Sequence, residues 1–301
     1  MQLVTYNRGP ERRAGLLKDG EVFDLATALG DETLSTMHGV LAVWPQIRPR
    51  LAELDLAAGL PLATVTLEAP LPRPGTIFCA GANYRDHSAE MAALHNRPPP
   101  PDPHSRGENP WHFIKASQCV TAPGATIALP ADSAEIDWEA ELAVIIGTEC
   151  RNATLENALD CVFGYTIAND LSARDLSRRN APEGSPFRFD WLSHKSFDGS
   201  LPLGPAITLA ADIGDPQALA IWLSIDGVVK QQSSTDQMTF SIAEQIVHLS
   251  RRLTLRPGDI ILTGTPAGVG AARKEFLQGG ETVVATIENI GTLTNFIATR
   301  Q

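Results

Sequence analysis

Three acidic residues alternate along a segment that then becomes strongly apolar. Asp137, Glu139 and Glu141 lie at every second position, and residues 142–147 are apolar enough to form a buried strand. Alternate side chains of a strand share one face, so the three carboxylates are expected to project together. Like charges at the mouth of a buried strand repel one another, and a divalent cation held by oxygens would offset that repulsion. A solvated edge face is the alternative.

A histidine and a glutamate three residues apart form a second candidate group. His87 and Glu90 lie at positions i and i+3 of a predicted helix, which places them on one face. A carboxylate beside an imidazole raises its basicity and fixes its tautomer, so the pair could act as a general base that activates water. An ordinary contact on a helix surface is the alternative.

Two charged residues stand where a ligand could be bound. Asp170 follows the predicted strand 162–168 and could complete a three-carboxylate site for Mg²⁺ with Glu139 and Glu141, or it could cap the next turn. Lys195 is a lone lysine among apolar and turn residues. A lysine in such surroundings can shift its pKa and act in catalysis, although a solvated loop lysine fits the same pattern.

A loop rich in glycine and threonine follows the predicted strand 259–263. Its free N–H groups, at residues 264–270, suit a carboxylate ligand. A tight structural turn is the competing interpretation. The loop therefore adds a candidate anion-binding segment to the acidic and basic groups.

The elements that must position these groups fall into two predicted domains, 1–70 and 73–301. Strands are expected in the first domain at 2–6, 13–17 and 21–24, with a hairpin turn at 19–20 and an Ala/Leu-rich helical region at 34–60. The prolines of 69–75 cannot hold a helix or a strand ladder, so this segment is the predicted boundary.

The second domain is predicted to contain many strands and few helices. Helices are expected at 84–95 and from a capping box at Ser241 and Glu244 to about residue 253, and 97–110 is a proline-rich surface loop. Strands are expected at 76–81, 126–129, 142–146, 162–168, 206–209, 219–225, 228–232, 259–263 and 282–287. Because no regular βαβ alternation occurs, the predicted fold is α+β with a mainly β core.

Composition excludes some classes of function. The net charge of -11 and pI near 5.1 argue against a nucleic-acid partner but leave room for an anionic substrate in a locally basic or metal-containing pocket. The sequence shows no apolar core of signal-peptide length and no apolar segment long enough to span a membrane, so no association with a membrane is expected. Four cysteines without a CxxC pair predict reduced thiols in a cytoplasmic protein, and no GxGxxG follows a strand.

Five motifs, taken together and in this order, resemble the fumarylacetoacetate hydrolase family over about residues 73–297. They are GANYRDHSAE at 81–90, DWEAEL at 137–142, NDLSARD at 169–175, KSFD with PLGP at 195–205, and PGDIILTGTPAGVG at 257–270. The resemblance implies a mixed β-roll or sandwich core, a small N-terminal α+β domain, a Mg²⁺ or Mn²⁺ site, and a homodimer.

The resemblance also implies roles for single residues. The metal ligands that it implies are Glu139, Glu141 and Asp170. The catalytic residues that it implies are a water-activating pair, His87 and Glu90, and an active-site lysine, Lys195. The substrate contacts that it implies are Tyr84, Arg174, Gly264 and Thr265. Many members carry Gln three residues after the arginine, where this chain has Ser177, so one hydrogen bond to the substrate is absent or replaced.

The leading hypothesis for function is metal-dependent hydrolysis of a C–C bond in a 2,4-dioxo acid of the acylpyruvate type, through a metal-bound enolate. Decarboxylation, tautomerisation or hydration of a related 2-oxo acid on the same scaffold is the alternative. A third class, a non-catalytic carbohydrate- or metal-binding β protein, is disfavoured because His87 and Lys195 are both present.

Overall fold

Strands dominate the architecture of this chain. A computed structural model describes residues 1–52, 54, 56 and 59–299. Across these residues the strands form one 12-stranded sheet, one 5-stranded sheet and one pair. The few helices lie between strands without βαβ alternation, so the prediction of an α+β, mainly β fold is confirmed.

The strands are β1 (Gln2–Arg8), β2 (Glu11–Lys18), β3 (Glu21–Asp24), β4 (Leu60–Pro61), β5 (Thr66–Glu68), β6 (Ile77–Ala80), β7 (His112–Lys115), β8 (Val120–Thr121), β9 (Thr126–Ile127), β10 (Ile136–Asp137), β11 (Ala140–Ile146), β12 (Val162–Asn169), β13 (Ser172–Ala173), β14 (Leu201–Leu209), β15 (Ala220–Ile225), β16 (Val228–Ser234), β17 (Ile260–Leu262), β18 (Thr282–Ile287) and β19 (Gly291–Ile297).

The helices are α1 (Leu25–Leu29), α2 (Met37–Ala42), α3 (Trp44–Ala52), α4 (Arg85–Leu94), α5 (Trp191–Lys195), α6 (Ile242–Arg252) and α7 (Gly270–Arg273). The predicted capping box opens α6, because the Ser241 hydroxyl accepts the N–H of Glu244 and the Glu244 carboxylate accepts the N–H of Ser241. No helix in the described ranges is long and apolar enough to cross a membrane.

The main sheet runs β4-β3-β2-β1-β14-β12-β11-β17-β6-β7, with β5 paired to β1 and β8 paired to β14. It is mixed, because β17 runs parallel to β6 while most neighbours are antiparallel. The leading strands join this sheet through β1, whose Leu3 lies opposite Ile207 of β14. The predicted boundary at 69–75 carries no helix or strand, and the division into two domains stays a prediction.

Strand β11 is the central strand that carries the acidic segment into the core. All seven of its residues are buried. Leu142, Val144 and Ile146 pack into one hydrophobic cluster, while Ala143 and Ile145 pack into another. A strand covered on both faces needs an unbroken apolar run instead of an alternating one. This double burial explains why residues 142–146 were correctly predicted to form a buried strand.

The helical region predicted at 34–60 is shorter in the structure. Helix α3 ends at Ala52, and Leu60 instead belongs to β4, where it pairs with Val22 of β3. Strand pairing at Leu60 therefore overrides the Ala/Leu composition that favoured a helix. The prediction also covers residues 53, 55, 57 and 58, which lie outside the described residues.

Candidate active site

The three predicted metal ligands come together in one buried cluster, here called the acid cluster. Carboxylate oxygens of Glu139, Glu141 and Asp170 all lie within 4.8 Å of one another. Each of the three residues is at most 7% exposed. Strands β11 and β12 are antiparallel neighbours, and the Asp170 N–H donates to the Glu139 carbonyl at 2.9 Å. This pairing places the end of β12 beside the start of β11.

The prediction that one continuous strand carries Asp137, Glu139 and Glu141 is wrong. Strand β10 ends at Asp137 and β11 begins at Ala140, so the strand is interrupted between them. The Asp137 carboxylate accepts the N–H groups of Gly270 at 2.5 Å and Ala271 at 3.0 Å, at the start of α7. Asp137 therefore anchors α7, and it lies outside the acid cluster.

Three cationic side chains surround the acid cluster. Lys195 Nζ lies 2.7 Å from Glu139 Oε2 and 2.7 Å from Asp170 Oδ2. Lys115 Nζ lies 2.6 Å from the other Asp170 oxygen, Oδ1. Arg174 donates through Nη2 to Glu139 Oε1 at 2.5 Å and through Nε to Asp137 at 2.8 Å. The predicted active-site lysine and arginine are thus both in place around the acids.

The surrounding charges drive the pKa values of the two glutamates apart. Burial by itself would raise the pKa of Glu139, but Lys195 and Arg174 hold it below its usual range. Burial also raises the pKa of Glu141, and the charges of Asp170 and Glu139 raise it further. Among the described residues, the one hydrogen bond to the Glu141 carboxylate comes from the Gly264 N–H, at 2.6 Å. Glu141 is therefore the acid that lacks a cationic partner.

A divalent cation fits this arrangement. Among the described residues, the buried acids in and beside the acid cluster are Asp137, Glu139, Glu141 and Asp170, and the cations paired with them are Lys115, Lys195 and Arg174. The acids outnumber the cations by one, and the unmatched carboxylate belongs to a predicted ligand. Mg²⁺ and Mn²⁺ prefer carboxylate oxygens, so the donor set and the missing positive charge both suit such an ion.

The predicted catalytic pair lies on one face of α4, as its spacing predicted. His87 Nδ1 is 3.8 Å from Glu90 Oε2, and the Gly268 N–H donates to both Glu90 oxygens at 2.9 and 3.1 Å. Burial would raise the pKa of Glu90, but His87 and the Gly268 amide hold it below its ordinary value. His87 is also close enough to Glu139 for its charge to lower the pKa of that carboxylate. The pair therefore adjoins the acid cluster.

The start of α4 is fixed to the core by residues that have no partner nearby in the sequence. The Asn83 side-chain amide donates to the carbonyls of Phe240 at 3.0 Å and Thr263 at 2.8 Å, and its oxygen accepts the Phe240 N–H at 2.8 Å. Tyr84, at the helix N-cap, is completely buried. These contacts hold His87 and Glu90 in a set position relative to β17 and the loop after it.

The predicted substrate-binding loop adjoins the acid cluster through its backbone. Gly264, at a φ of +96°, turns its N–H to Glu141. The Thr265 hydroxyl donates to the Ala140 carbonyl at 2.9 Å and accepts from the Gln231 side chain at 2.9 Å. The loop and the start of β11 are therefore held together. The assignment of Gly264, Thr265, Tyr84 and Arg174 to substrate binding stays a prediction.

The sequence analysis missed Lys115, Asn83 and Gln231. Lys115 had one available signal, because the chain has only five lysines and this one follows an apolar strand residue. Its partner Asp170 is 55 residues away along the chain. Ser177, which replaces the glutamine of many family members, donates to the Arg174 carbonyl at 2.6 Å and so closes its own turn.

Comparisons with known proteins agree with the motif resemblance. The family model described as fumarylacetoacetate (FAA) hydrolase C-terminal matches residues 76–298. The mitochondrial oxaloacetate tautomerase Fahd2a of Rattus norvegicus is 40% identical over 250 residues, which are 81% of this chain and 74% of that protein. Its mitochondrial location does not fit the cytoplasmic location predicted from the cysteines.

Solved structures share the whole fold. Fumarylacetoacetate hydrolase from Exiguobacterium antarcticum superposes with a TM-score of 0.79 at 31% identity, over 100% of both chains. Maleylpyruvate hydrolase from Sphingobium sp. SYK-6, solved with manganese(II) and pyruvate, superposes with a TM-score of 0.74 at 28% identity, also over 100% of both chains.

Proposed function

This chain belongs to the fumarylacetoacetate hydrolase family of enzymes, and we propose that it is a metal-dependent tautomerase of a 2-oxo acid such as oxaloacetate. The observation that carries the proposal is the His87–Glu90 pair beside the acid cluster. The neighbouring cations Lys115, Lys195 and Arg174 are held in short ion pairs, whereas His87 Nδ1 has no hydrogen-bond partner among the described residues. The name of the rat relative supports oxaloacetate as the substrate.

Tautomerisation needs only one proton to move between oxygen and carbon. In the enol-to-keto direction the C2 hydroxyl loses a proton and C3 gains one, so atoms and charge balance without another reactant. His87 Nδ1 lies 3.8 Å from Glu90 Oε2, and its other ring nitrogen, Nε2, would carry that proton to and from the substrate. Glu139, Glu141 and Asp170 would hold Mg²⁺ or Mn²⁺, which supplies Lewis-acid polarisation of the substrate oxygens.

The remaining site residues have proposed roles in binding. Lys195 would stabilise negative charge that develops on a substrate oxygen. Burial would lower the pKa of Lys195, but Asp170 and Glu139 raise it above its usual value, so the group stays an ammonium ion. Arg174, Tyr84 and the Gly264–Thr265 loop would contact the carboxylate end of the substrate.

Hydrolysis of a C–C bond in a 2,4-dioxo acid is the second candidate. It is supported by the similarity to a maleylpyruvate hydrolase that was solved with manganese and pyruvate. The His87–Glu90 pair could activate water for attack on a carbonyl. This reaction needs a positioned water molecule in addition to the proton carrier, so the same residues would have to bind and orient that water as well as transfer a proton. Hydration of a related 2-oxo acid has the same requirement, whereas decarboxylation needs a proton carrier but no water molecule as a nucleophile.

Two substrates assayed side by side distinguish the candidates. With Mg²⁺ present, we expect the protein to accelerate the loss of ultraviolet absorbance of freshly dissolved enol-oxaloacetate and to leave acetylpyruvate intact. The same assay with a chelator should show no acceleration, because the acid cluster would then lack its ion. Cleavage of acetylpyruvate with no effect on enol-oxaloacetate would overturn the tautomerase proposal in favour of the hydrolase.

We also propose a homodimer, for which an exposed apolar patch at one end of the main sheet is the support. The patch consists of Trp111, Ile114, Trp191 and Leu192, around β7 and α5. Strand β7 ends the main sheet, and a free sheet edge with apolar side chains is a surface that proteins usually cover. Light scattering should give twice the 32.3 kDa chain mass; a monomer at all concentrations would contradict the proposal.

A further inference from the structure

Two lysines contact the same aspartate in the acid cluster, but their surroundings differ. We infer that Lys195 is an exchangeable cation, which leaves its carboxylates when a divalent ion binds, whereas Lys115 is a fixed cation that positions Asp170. The inference rests on the proposed metal site. It adds a coupling, since Lys195 becomes available to the substrate only when the ion is in place.

Lys195 occupies the oxygens that an ion would need. Its Nζ lies 2.7 Å from one oxygen of Glu139 and 2.7 Å from one oxygen of Asp170, and both residues are proposed ligands. Mg²⁺ binds carboxylate oxygens at about 2.0–2.1 Å. An ion held by the same oxygen atoms would compete with the ammonium for their lone pairs and would repel it at short range. The ammonium must therefore give up at least one of these contacts.

The other oxygens of the same carboxylates are held by different cations. Glu139 Oε1 accepts from Arg174, and Asp170 Oδ1 accepts from Lys115. Each of these two acids thus accepts a hydrogen bond from Lys195 at one carboxylate oxygen and from a different cation at the other oxygen. Displacement of Lys195 frees one oxygen on each acid while Arg174 and Lys115 still hold the carboxylates in orientation.

The anchoring of the two lysines explains which one stays. Lys115 has a second bond from Nζ to the Leu171 carbonyl at 3.0 Å, and its side chain is completely buried. Among the described residues, Lys195 Nζ donates hydrogen bonds only to the two carboxylates, and Lys195 ends α5, where the chain leaves the helix. The ring of Phe113 has its centroid 5.2 Å from Lys195 Nζ, and an aromatic face can stabilise a displaced ammonium.

The direct test is a pair of crystal structures of the native protein, one grown with EDTA and one with Mn²⁺. We expect Mn²⁺ on Glu139, Glu141 and Asp170, with Lys195 Nζ beyond hydrogen-bond distance of at least one of its two oxygens and Lys115 Nζ still on Asp170 Oδ1. If Mn²⁺ binds in the acid cluster while both Lys195 contacts stay intact, the proposed displacement of Lys195 is wrong but the metal site is correct. Failure of Mn²⁺ to bind there would overturn the metal site and the exchange together.

A matched pair of variants tests the same point in solution. Lys195→Met and Lys115→Met each remove one positive charge from Asp170, so the long-range attraction for an ion rises in both. Only the first removes a competitor for the ligand oxygens. We expect calorimetric titration with Mn²⁺ to give a Kd about tenfold or more lower for Lys195→Met than for Lys115→Met, the scale of a lost hydrogen bond to a charged group. Equal affinities, or the reverse order, would overturn the exchange.

Discussion

Replacement of His87 by asparagine is expected to lower the rate of enol-oxaloacetate tautomerisation by about a hundredfold or more, the scale of a lost general acid–base group. Asparagine keeps a hydrogen-bonding side chain on the same face of α4, but it cannot carry a proton. The affinity for Mn²⁺ should stay at the native value, because His87 contacts Glu90 and lies outside the acid cluster. Steady-state rates and calorimetric titration of the same samples measure both quantities.

His95→Asn is the matched control for this prediction. His95 is the C-cap of the same helix, and among the described residues its ring forms a hydrogen bond only with the Met91 carbonyl, at 2.8 Å. This variant should retain native activity and native metal affinity. Loss of Mn²⁺ binding in His87→Asn, with catalysis preserved when Mn²⁺ is in excess, would show that the histidine is a ligand and that the proposed proton transfer is wrong.

The second large effect concerns the acid cluster. Glu139→Gln and Asp170→Asn are each expected to weaken Mn²⁺ binding by about a hundredfold or more. Even the loss of a residue that only hydrogen-bonds to a metal ligand lowers metal affinity by about 10–100-fold. Both variants should lose metal-dependent turnover in parallel. Asp170→Asn leaves the buried Lys115 without its carboxylate partner, and Glu139→Gln removes one of the two carboxylates that Lys195 and Arg174 each contact. Thermal unfolding must therefore be measured to confirm that the variants are folded at the assay temperature.

Two acids provide controls for this prediction. Asp137→Asn changes a buried carboxylate that binds Arg174 and the backbone of α7, so it should cost less metal affinity than Glu139→Gln. Glu183→Gln removes the same charge from a side chain that is 96% exposed, and it should have no effect. A greater loss of affinity in Asp137→Asn than in Glu139→Gln would reverse the assignment of ligands.

Local patterns in the sequence predicted those parts of the fold that depend on neighbouring residues. The i,i+3 spacing of His87 and Glu90 placed them correctly on one helical face, because helix geometry alone decides that contact. The same holds for the capping box of Ser241 and Glu244. The apolar run after Glu141 predicted a buried strand correctly, since both faces of β11 are covered.

Contacts between distant segments could not be derived from such patterns. Lys195 ends helix α5 and bridges residues 56 and 25 positions away, whereas its sequence surroundings fitted both a catalytic lysine and a solvated loop lysine and indicated neither partner. Lys115 escaped notice because three strands lie between its own strand, β7, and β12, which ends just before its partner Asp170. The break between β10 and β11 was also unpredictable, because the backbone amides of α7 decide where Asp137 points.

The central claim is that His87, beside a metal-binding acid cluster, moves a proton between C2 oxygen and C3 of a 2-oxo acid. Proton NMR of freshly dissolved enol-oxaloacetate with Mg²⁺ and the native protein tests this most directly, because it identifies the product as well as the rate. The predicted result is loss of the enol C3–H signal and growth of the keto methylene signal at a rate proportional to protein concentration, with pyruvate formed no faster than in a protein-free sample with Mg²⁺. Pyruvate that accumulates in proportion to the protein, or an interconversion rate that does not depend on it, would contradict the claim.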